Sequence, residues 1–71
     1  MSKMKLEYDK EVDAAYIYLE YPIKEGSVKK TVEAGDNIIL DYDSKGKLIG
    51  VEILEASKVL SKKALEKSVV V

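Results

Sequence analysis

A strand-forming tract interrupted by a tight turn constrains the fold of this chain more than any other feature. The tract runs from Asp41 to Leu54 and contains a D-S-K-G turn at residues 43–46. Apolar runs at residues 38–40 and 48–54 flank this turn. Two apolar runs joined by a short glycine-containing turn are typical of a β-hairpin. The sequence therefore predicts a fold that is built on an antiparallel sheet.

Alternation of apolar and polar residues predicts further strands before this hairpin. Residues 4–9 place Met4, Leu6 and Tyr8 on one face, residues 14–19 are apolar on both faces, and residues 28–34 alternate again. From residue 56 the apolar spacing becomes helical, and Ser57 is the predicted N-cap. Ser61 can cap a second turn, so the segment is one helix or two short ones.

These elements predict one α+β domain over residues 1–71. A four- or five-stranded antiparallel sheet spans residues 4–55, and a C-terminal helix of about residues 57–67 packs on one of its faces. The tail at residues 68–71 either frays or pairs along a sheet edge. Because 71 residues bury only a small core and the chain has no cysteine, we expect self-association into a homodimer.

The residue types that are missing exclude several classes of function. Without histidine or cysteine the chain has no catalytic triad, no cysteine nucleophile and no ordinary zinc site. All basic residues are lysine and the net charge is −1, which argues against sequence-specific binding of nucleic acid. No apolar run reaches the roughly 20 residues of a membrane span, and no signal peptide is evident, so a cytoplasmic location is expected. The absence of glutamine and the abundance of lysine and acids are typical of thermophile proteins.

One stretch of the hairpin has nearly the spacing of a calcium-binding loop. Asp41, Asp43, Gly46 and Glu52 match the first, third, sixth and twelfth positions of that loop, but Lys45 places a cation at the fifth. The flanking residues also predict strands, whereas a calcium loop lies between helices. A structural turn is the better interpretation, in which Asp43 accepts backbone N–H groups and Gly46 adopts a positive φ.

Carboxylates at several predicted strand ends form a candidate acidic cluster. Its members are Asp9, Asp13, Asp41, Asp43 and Glu52. Such a group can hold Mg²⁺ or share a proton for acid–base chemistry. In the alternative interpretation, Asp9 and Asp13 stabilise a turn and Glu52 pairs with a lysine across strands.

The aromatic and C-terminal apolar residues form a candidate interface. The chain has five tyrosines and no other aromatic residue, and Tyr16 and Tyr18 share one strand face. Tyrosine suits wet interfaces because its hydroxyl needs a polar partner. Val69, Val70 and Val71 add an apolar run that can join the same interface. A second, minor core under the helix is the other interpretation of the tyrosines.

Two blocks of residues resemble a known family. They are Y-D-x-x-x-D-A-x-Y-I-x-L at residues 8–19 and D-Y-D-x-x-G-x-L-x-G-x-E-I-L-x-A-S at residues 41–57, with Val32-Glu33 between them. Over about residues 6–57 the chain resembles the YuzE-like family of small prokaryotic proteins of unknown function. The resemblance implies a strand-rich domain with a terminal helix and supplies no catalytic residues. Genes of this family often lie beside small toxin-like genes, which implies an antitoxin or partner-binding role.

Together these observations favour a non-catalytic protein-interaction module, which includes the antitoxin-like partner of a toxin. The alternative is a metal-binding or hydrolytic domain that uses the acidic cluster. A thermal shift with a divalent metal would favour the alternative, and co-purification of a specific protein would favour the interaction module. No catalytic residue, metal or cofactor is predicted.

Overall fold

The structure, a computed structural model, describes residues 4–71 and contains one mixed sheet with two short helices. Residues 1–3, on which the expectation of no leader peptide partly rests, lie outside the described residues. The elements are β1 (Lys5–Asp9), β2 (Ala14–Tyr18), β3 (Lys30–Glu33), β4 (Ile38–Tyr42), β5 (Leu48–Leu54), α1 (Ala56–Val59), α2 (Lys62–Glu66) and β6 (Val69–Val70).

The sheet is larger than the predicted four or five strands, and it is not purely antiparallel. Its six strands lie in the order β3-β4-β5-β2-β1-β6. The segment of α1 and α2 carries the chain from β5 past β2 to the far side of β1, where β6 pairs in parallel with β1. Parallel pairing requires such a crossover, which a pattern of hairpins does not reveal. The tail therefore pairs along a sheet edge.

The predicted hairpin between β4 and β5 is present. The N–H of Asp43 donates to the carbonyl of Lys47 over 2.9 Å, and the N–H of Gly46 donates to the carbonyl of Asp43 over 3.1 Å. The register between the strands shifts between Asp41 and Tyr42, where a β-bulge interrupts the ladder. A bulge bends a strand and redirects its side chains, and here it lies directly before the turn.

The single helix expected at about residues 57–67 is divided into α1 and α2. Leu60 has φ −93° and ψ 145°, an extended conformation that ends α1. The hydroxyl of Ser61 then accepts from the N–H of Ala64, as an N-cap does at the start of α2. The N-cap of α1 is Glu55 rather than the predicted Ser57, which lies inside the first turn.

The helices cover one face of the sheet, where the small core lies. Ala15, Ile53 and Ala56 are buried, and Leu60 and Leu65 of the helical segment pack against them. Ala56 is fully buried because α1 begins directly against β2 and β5. No helix within residues 4–71 has the length and apolar character needed to cross a membrane.

Candidate functional site

The face of the sheet opposite the helices carries the polar and aromatic side chains, and we call it the open face. Strand register assigns its members, because side chains directly opposite one another lie on the same face. Tyr16 lies opposite Glu7 on one side and Glu52 on the other. The strand residues of the open face are Lys5, Glu7, Asp9, Ala14, Tyr16, Tyr18, Thr31, Glu33, Ile39, Asp41, Gly50, Glu52, Leu54 and Val69.

Three tyrosines form a row on the open face. The rings of Tyr16 and Tyr18 lie 4.7 Å apart between centroids with an interplanar angle of 65°. Tyr21, which follows the end of β2, lies 5.1 Å from Tyr18 at 83°. Edge-to-face contacts of this kind each stabilise by about 0.5–1.5 kcal/mol beyond the burial of area. The row therefore presents aromatic surface in a fixed arrangement.

Tyr16 crosses β5 at a glycine to reach a carboxylate on β4. Its hydroxyl donates to Oδ2 of Asp41 over 2.7 Å, and the hydroxyl of Thr31 donates to Oδ1 over 2.9 Å. A Cβ at Gly50 would lie only 2.5 Å from Cζ of Tyr16, so any larger residue at this position would displace the tyrosine ring. Burial, and then the Asp41 carboxylate, raise the pKa of Tyr16, which keeps its hydroxyl a donor.

A second network fixes the other end of the row. The hydroxyl of Tyr18 donates to Oε1 of Glu7 over 3.0 Å, and Nζ of Lys5 lies 3.0 Å from Oε2 of the same carboxylate. The Lys5 ammonium also lies 4.3 Å from the centroid of the Tyr21 ring. The hydrogen bond from Lys5, followed by that from Tyr18, lowers the pKa of Glu7 against the effect of its burial. The same hydrogen bond to Glu7 is the largest cause that raises the pKa of Lys5.

A pocket of about 290 Å³ lies beside the tyrosine row. Carboxylates of Glu7 and Asp9 on β1 and of Glu52 on β5 line it, on the two strands that flank β2. Its other lining residues are small, apolar or aromatic: Val12, Ala14, Ala15, Tyr16 and Val71. The pocket thus combines acidic groups with apolar walls.

The five carboxylates of the predicted acidic cluster do not form one group. Asp9 and Glu52 line the pocket, and Asp41 accepts from Tyr16 and Thr31 across β5. Asp43 lies in the β4–β5 turn, where Oδ1 accepts from the N–H groups of Lys45 and Lys47, each over 2.9 Å. Within residues 4–71, no three acidic side chains converge closely enough to hold a metal ion together.

Asp13, the remaining member, connects the β1–β2 turn to α1. Its Oδ1 accepts from the Tyr8 hydroxyl over 2.7 Å and from the N–H of Ser57 over 3.0 Å, and Oδ2 accepts from the Ser57 hydroxyl over 2.7 Å. Asp13 thereby supplies the acceptor that the side chain of Glu55 does not provide at the start of α1. The Ser57 and Tyr8 hydrogen bonds lower the pKa of Asp13.

The alternative interpretation, in which the acids stabilise turns or pair with lysine, agrees with the structure in part. Oδ1 of Asp9 accepts from the N–H of Glu11 over 3.0 Å, which is a turn contact. The prediction that Glu52 pairs with a lysine across strands is wrong for residues 4–71. The ion pairs there are Lys5–Glu7 and Glu55–Lys58. At the turn predicted to be structural, Gly46 has φ 76°, in the left-handed region.

The predicted interface residues occupy two adjoining places. Tyr16 and Tyr18 lie at the centre of the open face, whereas Val69, Val70 and Val71 follow the edge of the sheet beside β1, where Val69 pairs with Glu7. These valines are 48%, 55% and 64% exposed. Val71 also lines the pocket, so the edge and the open face are continuous there.

Sequence reasoning missed Lys5, Glu7 and Tyr21. The alternation at residues 4–9 could have identified Lys5 and Glu7, since it places them on the polar face of β1. An antiparallel β1–β2 pair then sets Lys5 against Tyr18 and Glu7 against Tyr16. Tyr21 gave no such signal, because it lies beyond the strand, in the bend at residues 19–22.

Comparison with known proteins assigns the chain to a family. The model of the DUF2283 family, proteins of unknown function, matches residues 5–57. The chain belongs to this family. It is also 39% identical over 59 residues to an uncharacterized protein of Methanocaldococcus jannaschii, and the match covers 83% of the chain and 47% of that protein. The chain thus spans about half the length of this relative. No solved structure is significantly similar to this chain.

Proposed function

We propose that this DUF2283 chain is a non-catalytic protein-interaction module that binds its partner on the open face. The observation that carries the proposal is the fixed tyrosine row on a sheet face that the helices leave uncovered. Tyrosine is enriched in interfaces because it combines apolar area with a polar hydroxyl. Side chains that are ordered before binding lose less entropy when a partner docks.

The chemistry of the open face supports binding better than hydrolysis. Asp41 and Glu7 accept hydrogen bonds from Tyr16 and Tyr18, and these bonds hold the rings in place. A hydrolytic pair would instead need two carboxylates directed at one point where a substrate bond can lie. We therefore assign Asp41 and Glu7 to positioning of the tyrosines.

A narrower form of the proposal is an antitoxin-like role, in which the open face covers a toxin. The YuzE-like resemblance supports it through the gene neighbourhood of that family. We also propose that the chain forms a homodimer. The exposed valines support this because, within residues 4–71, β6 is an edge strand whose outer side is unpaired and carries no charged residue. The two surfaces differ, so a dimer through β6 leaves most of the open face free for a partner.

Affinity capture from the source cell tests the proposal. The tagged chain, Tyr18→Ala and Glu52→Lys are compared with Glu66→Lys, which makes the same charge change on exposed α2. We expect a specific partner, identified by mass spectrometry, to be retained by the parent and by Glu66→Lys and to fall at least about tenfold with the two open-face variants. This expectation rests on the concentration of binding energy in a few central aromatic and charged residues.

Thermal melts of each variant exclude unfolding as the cause of a loss. Equal retention of the same partner by folded Tyr18→Ala and folded Glu52→Lys would refute the open face as the binding surface. Retention of no partner by the parent chain would refute the interaction function itself.

A further inference from the structure

We propose that the occupant of the open face is a cationic segment of a partner protein, with lysine or arginine side chains that enter the pocket beside Tyr16. The inference rests on the proposed function, since it names the chemistry of the partner. It is carried by the charge of the face and by an ammonium group that the face already holds.

The two faces of the sheet differ sharply in charge. Among the described strand residues, the open face carries the acids Glu7, Asp9, Glu33, Asp41 and Glu52 and one base, Lys5. On the helix-covered side the paired residues are uncharged except for Lys30 on the edge strand β3. Hydrogen bonds from tyrosine and threonine do not neutralise a carboxylate. The open face is therefore an acidic surface with aromatic residues at its centre.

Lys5 shows how this surface accepts a cation. Its ammonium lies between the Glu7 carboxylate, at 3.0 Å, and the ring of Tyr21, at 4.3 Å from the centroid. Both contacts are favourable for a cation, one by charge and the other through the aromatic face. The side chain of Lys5 is only 26% exposed, so its stem lies along the sheet rather than in solvent. A partner lysine or arginine can use the same combination of groups.

The pocket offers a second place of this kind, and its lining within residues 4–71 includes no lysine. Among residues 4–71, neither Asp9 nor Glu52 lies within ion-pair distance of a lysine. Tyr16 lines the pocket with them, and Ala14 and Val12 supply apolar wall for the methylene stem of a long side chain. We assign the pocket to one cationic side chain, with Glu52 as its principal partner.

Charge also distinguishes a separate partner from a second copy of this face. Two open faces docked on each other would bring like carboxylates together, which costs free energy across an interface. A cationic segment of another protein relieves the repulsion among the acids instead. Charge complementarity therefore selects a basic partner over face-to-face self-association.

Amide chemical-shift mapping of the full chain with defined peptides tests the proposal. The probe is a short capped peptide that alternates lysine with valine, and its counterparts carry glutamine or glutamate in place of lysine. We expect the lysine peptide to shift amides of β2 and β5 around Tyr16 and Glu52, and to bind more weakly in about 0.5 M salt, where screening is strong.

Two variants isolate the charged contact. Glu52→Gln should weaken binding of the lysine peptide about two- to fivefold, the range of a partly exposed ion pair. Glu66→Gln removes the same charge from α2 and should leave the affinity unchanged.

Each other outcome overturns a stated part of the proposal. Equal binding of the glutamine peptide on the same face would refute the cationic chemistry while leaving the open face as a binding surface. No shift with the lysine peptide at millimolar concentration would refute the proposal outright, whereas the interaction function is decided separately by the capture experiment. If spermidine bound with the same affinity as the lysine peptide, the proposal of a protein segment would be refuted in favour of a polyamine ligand.

Discussion

Substitution of Gly50 by alanine tests whether Tyr16 is held across β5. The added Cβ would lie 2.5 Å from Cζ and 2.8 Å from Cε2 of Tyr16, far inside van der Waals contact. Tyr16 is the flexible partner, so its ring must swing away from the sheet. It would then lose the hydrogen bond to Asp41 and the edge contact with Tyr18.

The expected cost follows from these two losses. A hydrogen bond to a charged group contributes about 1.5–3 kcal/mol, and partial exposure places this one at the lower end. The aromatic contact adds about 0.5–1.5 kcal/mol. Alanine stabilises by about 0.4–1 kcal/mol because it restricts the unfolded chain more than glycine does. We therefore expect Gly50→Ala to lower the free energy of unfolding by about 1–2 kcal/mol, or the Tm by about 4–16 °C.

A double-mutant cycle separates this cause from a general intolerance of side chains in β5. In a Tyr16→Ala background the space over residue 50 is empty, and Gly50→Ala should then be neutral or stabilise by up to about 1 kcal/mol. Urea unfolding monitored by circular dichroism measures all four chains. The same cost of Gly50→Ala in both backgrounds would refute the proposed position of Tyr16.

Four further predictions follow from the turn, the termini and the acids. Asp13 has a depressed pKa in the folded state, so its contribution to stability is complete above its ordinary pKa of 3.8 and is lost as the pH falls through the lower folded pKa. In thermal melts between neutral pH and about pH 3, Asp13→Asn should therefore lose less stability on acidification than the parent chain does. Gly46→Val should cost about 1–2 kcal/mol because φ is 76°, whereas Gly35→Val, which lacks a positive φ and has open space, should cost less in the same unfolding assay. Titration calorimetry should detect no saturable binding of Ca²⁺ or Mg²⁺ at micromolar concentration, and a one-to-one isotherm lost in Asp41→Asn would contradict the role given to that carboxylate. Sedimentation should show a dimer whose Tm rises with protein concentration, and a monomer at high micromolar concentration would contradict it.

Local signals in the sequence predicted the local parts of this fold. The turn at Asp43 and Gly46 was evident because an Asp-x-x-Gly turn between apolar runs leaves few other conformations. A glycine inside a strand, such as Gly50, is typical of a bulge or of a close approach by another group, and the structure has both, with the register shift beside it and Tyr16 above it. Each of these features depends on residues within one hairpin and its neighbouring strand.

The parts that sequence reasoning missed depend on contacts between distant segments. To predict the parallel pairing of β6 with β1, one must know where the crossover ends. The two valines of β6 do not indicate that position. The pairing of Asp13 with Ser57 spans 44 positions, so neither residue indicates the other. The identity of the open face depends on which side the helices cover, and alternation within strands leaves both sides possible.

Photo-cross-linking inside the source cell tests the central claim most directly. A photoreactive phenylalanine analogue replaces either Leu54 on the open face or Val59 on α1, two apolar residues with similar exposure of 36% and 40%. We predict that position 54 yields a cross-link to one specific protein and that position 59 does not. A cross-link to that protein from position 59, with none from position 54, would contradict the open face as the binding surface.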